Sequence, residues 1–216
     1  MAESTLTINK SKRFYKIAFA LALFTIIYNI GEGLLSTYFG LEDESLALFG
    51  FGADSFIEVI SGLGIAHMVI RIQKYPTSNR DNFEQTALRI TGIAFYILAV
   101  ALVITSFYNI WTGHQPITTM FGVIISIISI FVMLLLVYWK RKVGKQLNSD
   151  PILADANCTM VCVYMSIILL VSSGMYELTS LPYIDSLGTL GLAYFSYKEG
   201  KECFEKANSE KYCRCD

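Results

Sequence analysis

Six apolar runs, each long enough to reach across a bilayer, limit what this chain can fold into more than any other feature. They occupy residues 14–39, 46–70, 87–111, 117–139, 152–175 and 181–197. At about 1.5 Å of rise per residue, a helix of roughly 20 residues crosses the ~30 Å hydrocarbon layer. The sixth run is the shortest and has Pro182 and Asp185 at its start. Composition agrees: 54% of the residues are hydrophobic and 16% charged, against about 25% charged in soluble domains. The expected fold class is an all-α membrane protein, a six-transmembrane-helix bundle.

The loops predict its orientation. Lys10, Lys12, Arg13 and Lys16 precede or open the first run, and Arg71, Lys74, Arg80 and Arg89 lie in or next to the second loop. Lys140, Arg141, Lys142 and Lys145 follow the fourth run; Lys198, Lys201, Lys206, Lys211 and Arg214 follow the sixth. These account for all 17 basic residues, and the alternate loops LEDE, TGHQP and ELTSLPYID contain none. Cytoplasmic loops carry the Lys/Arg excess, so both N- and C-termini are expected in the cytoplasm. The first run lacks a small-residue cleavage pattern, so it reads as a retained anchor rather than a secretory signal. The expected organisation is a cytoplasmic N-terminal arm (1–13), a transmembrane domain (14–197) and a short Cys-containing cytoplasmic tail (198–216). A formal net charge of −1 implies neither nucleic acid nor an acidic partner, and the bilayer is the first partner.

Polar residues inside the runs mark the faces hidden from lipid. Thr25, Asn29, Glu32 and Ser36 follow one stripe of the first helix. Asp54, Glu58 and Ser61 do so in the second, beside Gly52, Gly62 and Gly64, which permit close helix approach. Asp155, Cys158, Thr159, Cys162 and Ser166 share a face of the fifth. A charge near the bilayer centre costs at least about 2.5 kcal/mol, so two carboxylates four residues apart need a reason. Glu58 and Cys162 fall near the middle of their helices. If those helices face one another, two carboxylates and two thiols meet near the midplane.

Asp54, Glu58, Cys158 and Cys162 suit a tetrahedral shell for Zn²⁺, and thiolates favour soft or borderline ions over Mg²⁺ or Ca²⁺. Duller readings exist for each part. The cysteines can be small apolar packing residues. The two acids can share a proton, or bond to Asn29. Cys158 and Cys162 as a redox pair would need strained geometry, and no Cys-x-x-Cys or haem motif supports a redox enzyme. His67 and His114 read as interface residues near helix ends.

With those residues in view, the chain resembles the cation diffusion facilitator family. LFGFGADSFIEVISGLG is similar to its helix 2 motif of two acids separated by three residues, and SDPILADANCTMVCVYMSIILL to its helix 5 motif, where Ala-Asp-Ala precedes two ligands four apart. YNIGEGLLS is similar to its first-helix Asn/Glu-Gly segment. The resemblance covers all six helices and implies an antiporter, not an enzyme. Such an antiporter exports divalent metal from the cytosol against protons, usually as a homodimer. It also implies Asp54, Glu58, Cys158 and Cys162 as the transport site and no cofactor beyond the transported metal, Zn²⁺ first and Cd²⁺ next. Both helix 5 ligand positions are Cys, where the family usually has His or Asp with Asp, which softens the site. The family commonly continues into a cytoplasmic metal-sensing domain. This chain stops at Asp216, which makes it most similar to short bacterial members and points to a bacterial plasma membrane.

Asn29, Glu32, Asp155 and Asp185 are candidates for supporting the ligands or carrying protons. Cys203, Cys213 and Cys215 are candidates for capturing a soft ion in the tail. A bound dication needs its ligands deprotonated, so binding and proton release are linked. The contrasting expectation is a non-transporting membrane metal sensor or storage protein that uses the Cys tail.

Overall fold

The computed structural model describes residues 2–75, 82–181 and 183–208. Among the described residues there are six helices and no strand: α1 (Ala2–Glu42), α2 (Leu46–Lys74), α3 (Asn82–Thr112), α4 (Met120–Leu147), α5 (Asp150–Thr179) and α6 (Ile184–Asn208). The first five are long and apolar enough to cross a membrane. α6 is more polar, yet its 25 residues span about 37 Å at helical rise.

The helices close into a ring in the order α1, α2, α3, α6, α5, α4, and α2 also touches α5 and α6 across the centre. The α4–α5 connection is tight because Asn148 takes the left-handed conformation (φ 47°), which Asn tolerates better than most residues. Its N–H closes the last turn of α4 on the Gly144 and Lys145 carbonyls. We call the end with this turn, the start of α1 and the close of α6 the basic end.

Packing is inverted relative to a water-soluble bundle. Large apolar side chains such as Leu34, Ile97, Ile104, Phe131 and Tyr194 point outward, while Asn29, Ser36, Thr91, Ser106, Ser129, Ser166 and Thr189 are buried. Lipid tails are as apolar as Leu, so helices associate through close packing and polar contacts rather than by hiding hydrophobic surface. Glycines set the closest approaches. A Cβ on Gly52 would stand 2.7 Å from the Thr37 backbone nitrogen, which locks α2 against α1. One on Gly200 would stand 2.9 Å from the Tyr96 ring, so α6 lies close along α3.

Two features go beyond what hydropathy predicts. α6 continues past Tyr197, and residues 198–208, placed in the tail by composition, form its last turns, with Glu199, Cys203, Lys206 and Ala207 buried. At the other end, the Asp185 side chain reaches from the first turn of α6 to hold the start of α2. It accepts from Ser45 Oγ at 2.6 Å, Leu46 N at 2.9 Å and Ala47 N at 3.4 Å. Helix starts leave N–H groups without partners, and a carboxylate there also meets the favourable end of the helix dipole.

Candidate metal centre

The polar stripes of α1, α2 and α5 converge at mid-height. Cys162 Sγ on α5 donates to Glu58 Oε1 on α2 at 2.5 Å, and Asn29 Nδ2 on α1 donates to Glu58 Oε2 at 2.8 Å. One carboxylate thus ties three helices together. Cys162 is 7% exposed, whereas Glu58 keeps part of its surface open to a cavity of about 100 Å³ that the same residues line.

That cavity extends from Asn29 and Glu58 toward the basic end, past Cys158, Glu199, Cys203 and Lys206. Its wall is mainly apolar, with acids, three cysteines and two lysines set into it. Asp54 does not line it. It sits one turn from Glu58 toward the opposite end, 2% exposed, and its Oδ1 has no hydrogen-bond partner among the described residues. A bare buried carboxylate oxygen is costly, and a cation reaching it would remove that cost. Cys158 stands one turn from Cys162 on the cavity side, where Lys206 Nζ donates to its sulfur at 3.1 Å.

The sequence places the four candidate ligands together; the structure joins Glu58 to Cys162 and leaves Asp54 and Cys158 a turn away on either side. Among the described residues no three His, Cys, Asp or Glu side chains stand close enough to hold an ion. As they stand, Glu58 is held by Cys162 and Asn29, and Cys158 is held by Lys206.

The remaining candidates divide by what they touch. Asn29 supports Glu58 directly, and its Oδ1 has no hydrogen-bond partner among the described residues. Glu32 accepts from Tyr28 Oη and Ser55 Oγ, both at 3.0 Å, one helix turn from Asn29. Asp155 pairs with Lys140 at 3.0 Å, and Lys140 also donates to Thr159 Oγ1 at 2.9 Å. Asp185 caps α2 at the end away from the cavity. Cys203 is 5% exposed and lines the cavity from α6. Cys213 and Cys215 lie outside the described residues. His114 sits 3.1 Å from Glu44 beyond the helix ends, and His67 3.7 Å from Glu84.

Three residues that sequence reasoning passed over matter here. Lys140, counted among the orienting lysines, is 2% exposed. Glu199 and Lys206, assigned to the tail, face the cavity. The available signal was the spacing Glu199, Cys203, Lys206, which repeats at i, i+4 and i+7 and continues the buried face of α6.

The model of the cation efflux transmembrane domain matches residues 16–209 of the chain, which takes in all the described elements from the first turns of the membrane-spanning part of α1 to the end of α6.

Proposed function

The chain belongs to the cation efflux family, a family of integral membrane cation transporters, and from that premise we propose that it moves a thiophilic divalent metal ion out of the cytosol in exchange for protons. Zn²⁺ is the first candidate substrate and Cd²⁺ the second. Asp54, Glu58, Cys158 and Cys162 are the proposed ligands, with Asn29 orienting Glu58.

The contact between Cys162 and Glu58 carries this reading. It joins the two paired motifs across 104 residues of sequence, at the end of a cavity lined by further acids and thiols. A sulfur that donates to a carboxylate still holds its proton. A dication bound to both groups must release that proton, so metal and protons compete for the same atoms. The ligand chemistry supports soft or borderline ions: two sulfurs and two carboxylates suit Zn²⁺ and Cd²⁺ better than Mg²⁺. Midplane sites between helices that open alternately to each side are a common transporter arrangement. The cavity here lies on the basic side, which the positive-inside rule assigns to the cytoplasm. We place the protein in the plasma membrane of a bacterium, as a homodimer.

The test is metal entry into proteoliposomes that contain a metal-sensitive dye, with Zn²⁺, Cd²⁺ and Mn²⁺ supplied in parallel under an imposed pH gradient. Wild type should carry Zn²⁺ or Cd²⁺, and Asp54→Asn and Cys162→Ser should each lose at least about tenfold in rate while eluting as folded protein. Flux that persists in both variants would remove the site. Flux indifferent to a collapsed pH gradient would remove the exchange with protons and leave the site standing.

A further inference from the structure

Two cations supplied by the protein itself line the cavity: Lys140, held by Asp155 and Thr159, and Lys206. Lys206, on the last turns of α6, is 7% exposed. Its ammonium donates to Cys158 Sγ and to Glu202 Oε2, each at 3.1 Å. Glu202 is its neighbour at i−4 on the same helix, a pairing that stabilises many helices without further purpose. Cys158 belongs to α5, and nothing in an intrahelical pair calls for it. Glu199, two turns earlier on α6, lines the same cavity at 8% exposure, and its Oε1 has no hydrogen-bond partner among the described residues. The basic half of the cavity is thus furnished with acceptors, and a positive charge rests against one proposed metal ligand.

We propose that Lys206 is a tethered rival of the metal at Cys158. Without metal its ammonium occupies the sulfur. When a dication arrives, the hydrogen bond from Lys206 breaks, and the Cys158 S–H bond gives way to a sulfur–metal bond as its proton leaves to solvent. The ammonium keeps its own protons and stays with Glu202, on the side where Glu199 faces the cavity. The lysine limits how tightly the ion is held and helps return Cys158 to its metal-free partner. This rests on the reading of Cys158 as a ligand. An ammonium about 5 Å from a dication, at an effective dielectric near 20, would oppose binding by roughly 10⁵-fold in affinity. Withdrawal of the flexible side chain toward Glu202 relieves most of that, so removing the charge is expected to tighten binding by roughly tenfold to a hundredfold.

The experiment is Cd²⁺ titration of the full chain in nanodiscs by calorimetry at one fixed pH, with Cys213→Ser and Cys215→Ser present throughout so that tail thiols do not contribute. Lys206→Met keeps the buried stem without the charge, Lys206→Gln is a second neutral variant, and Lys206→Arg keeps the charge. Tighter binding in both neutral variants, with Lys206→Arg near wild type, is the expected result. The tightening should be much smaller when Cys158→Ser is added, because the lysine then has no sulfur to contest and only its longer-range repulsion remains. Unchanged or weaker binding in folded Lys206→Met and Lys206→Gln would overturn the proposal, as would equal tightening with Cys158→Ser. Failure of the folded wild type to bind Cd²⁺ at all would remove the transport site and the rival together, whereas binding that depends on Asp54 but ignores Lys206 removes the rival alone.

Discussion

Replacing Lys140 with Met should destabilise the bundle far more than loss of an ordinary loop lysine. Lys140 and Asp155 are 2% and 9% exposed, and the ammonium bonds the carboxylate at 3.0 Å and Thr159 at 2.9 Å. Removing one partner of a buried pair leaves the other charge uncompensated, at about 3–5 kcal/mol. Asp155 lies five residues into α5, about 8 Å from the helix start at 1.5 Å per residue. Water can relax around it there, so the lower figure of ~3 kcal/mol applies, a factor of more than 100 in the folded population. Thr159 keeps its own bond to the Asp155 carbonyl at 3.1 Å and loses only the lysine donor. Adding Asp155→Asn to Lys140→Met removes the orphaned charge and should restore most of the loss, because a buried pair contributes little net stability over neutral replacements.

The assay is the denaturation midpoint in detergent for wild type, the two single variants and the double variant, with proteoliposome flux measured on the folded fraction. A double variant that melts near wild type and still transports would assign Asp155 to the scaffold. Two results would refute the reasoning. Lys140→Met melting with wild type would mean that the lysine extends to the interface. A stable double variant without flux would place Asp155 on the proton route.

Three further outcomes follow from the same structure. Asp185→Ala should cost about 2–3 kcal/mol, since it strips a charged acceptor from Ser45 and two N–H groups at the start of α2; faster hydrogen exchange at residues 46–48, with flux per folded molecule unchanged, is the signature. Gly52→Val should loosen the α1–α2 seam, because even its Cβ would stand 2.7 Å from Thr37 N. A loss of roughly 1–3 kcal/mol is expected, read as a lower melting midpoint, and an unchanged midpoint would mean that the helices part without cost. Asp43, in the α1–α2 turn outside the membrane-spanning segments, has its carboxyl raised above the usual range by burial, then by the nearby Glu42 and Glu177. A raised acid favours the folded state below its unfolded value of 3.8 and loses that contribution as pH climbs through the folded value. Asp43→Asn should therefore match wild type in acid and become the more stable form toward neutral pH, as unfolding at a series of pH values would show.

Local patterns in the chain determined much of this protein by themselves. Hydropathy marked six helices, because a membrane span must be long, apolar and internally hydrogen-bonded. The period of polar residues showed which faces turn inward, and Asn29, Ser36, Asp54, Thr159 and Ser166 are indeed buried. The spacing of Asp54 and Glu58, and of Cys158 and Cys162, singled out α2 and α5 before any contact was visible. What a spacing rule cannot specify is register between helices distant in sequence. The tertiary structure alone decided that Glu58 meets Cys162, that Asp155 is held by Lys140, and that Asp185 is spent on the first turn of α2. It also decided that Lys206 rests on Cys158. Charge counts treated Lys140 and Lys206 as solvated loop residues because composition carries no depth, whereas a long cationic side chain can turn into a bundle wherever a buried acceptor awaits it. Local sequence sets which faces a helix must hide; only the packed ring sets which atoms meet there.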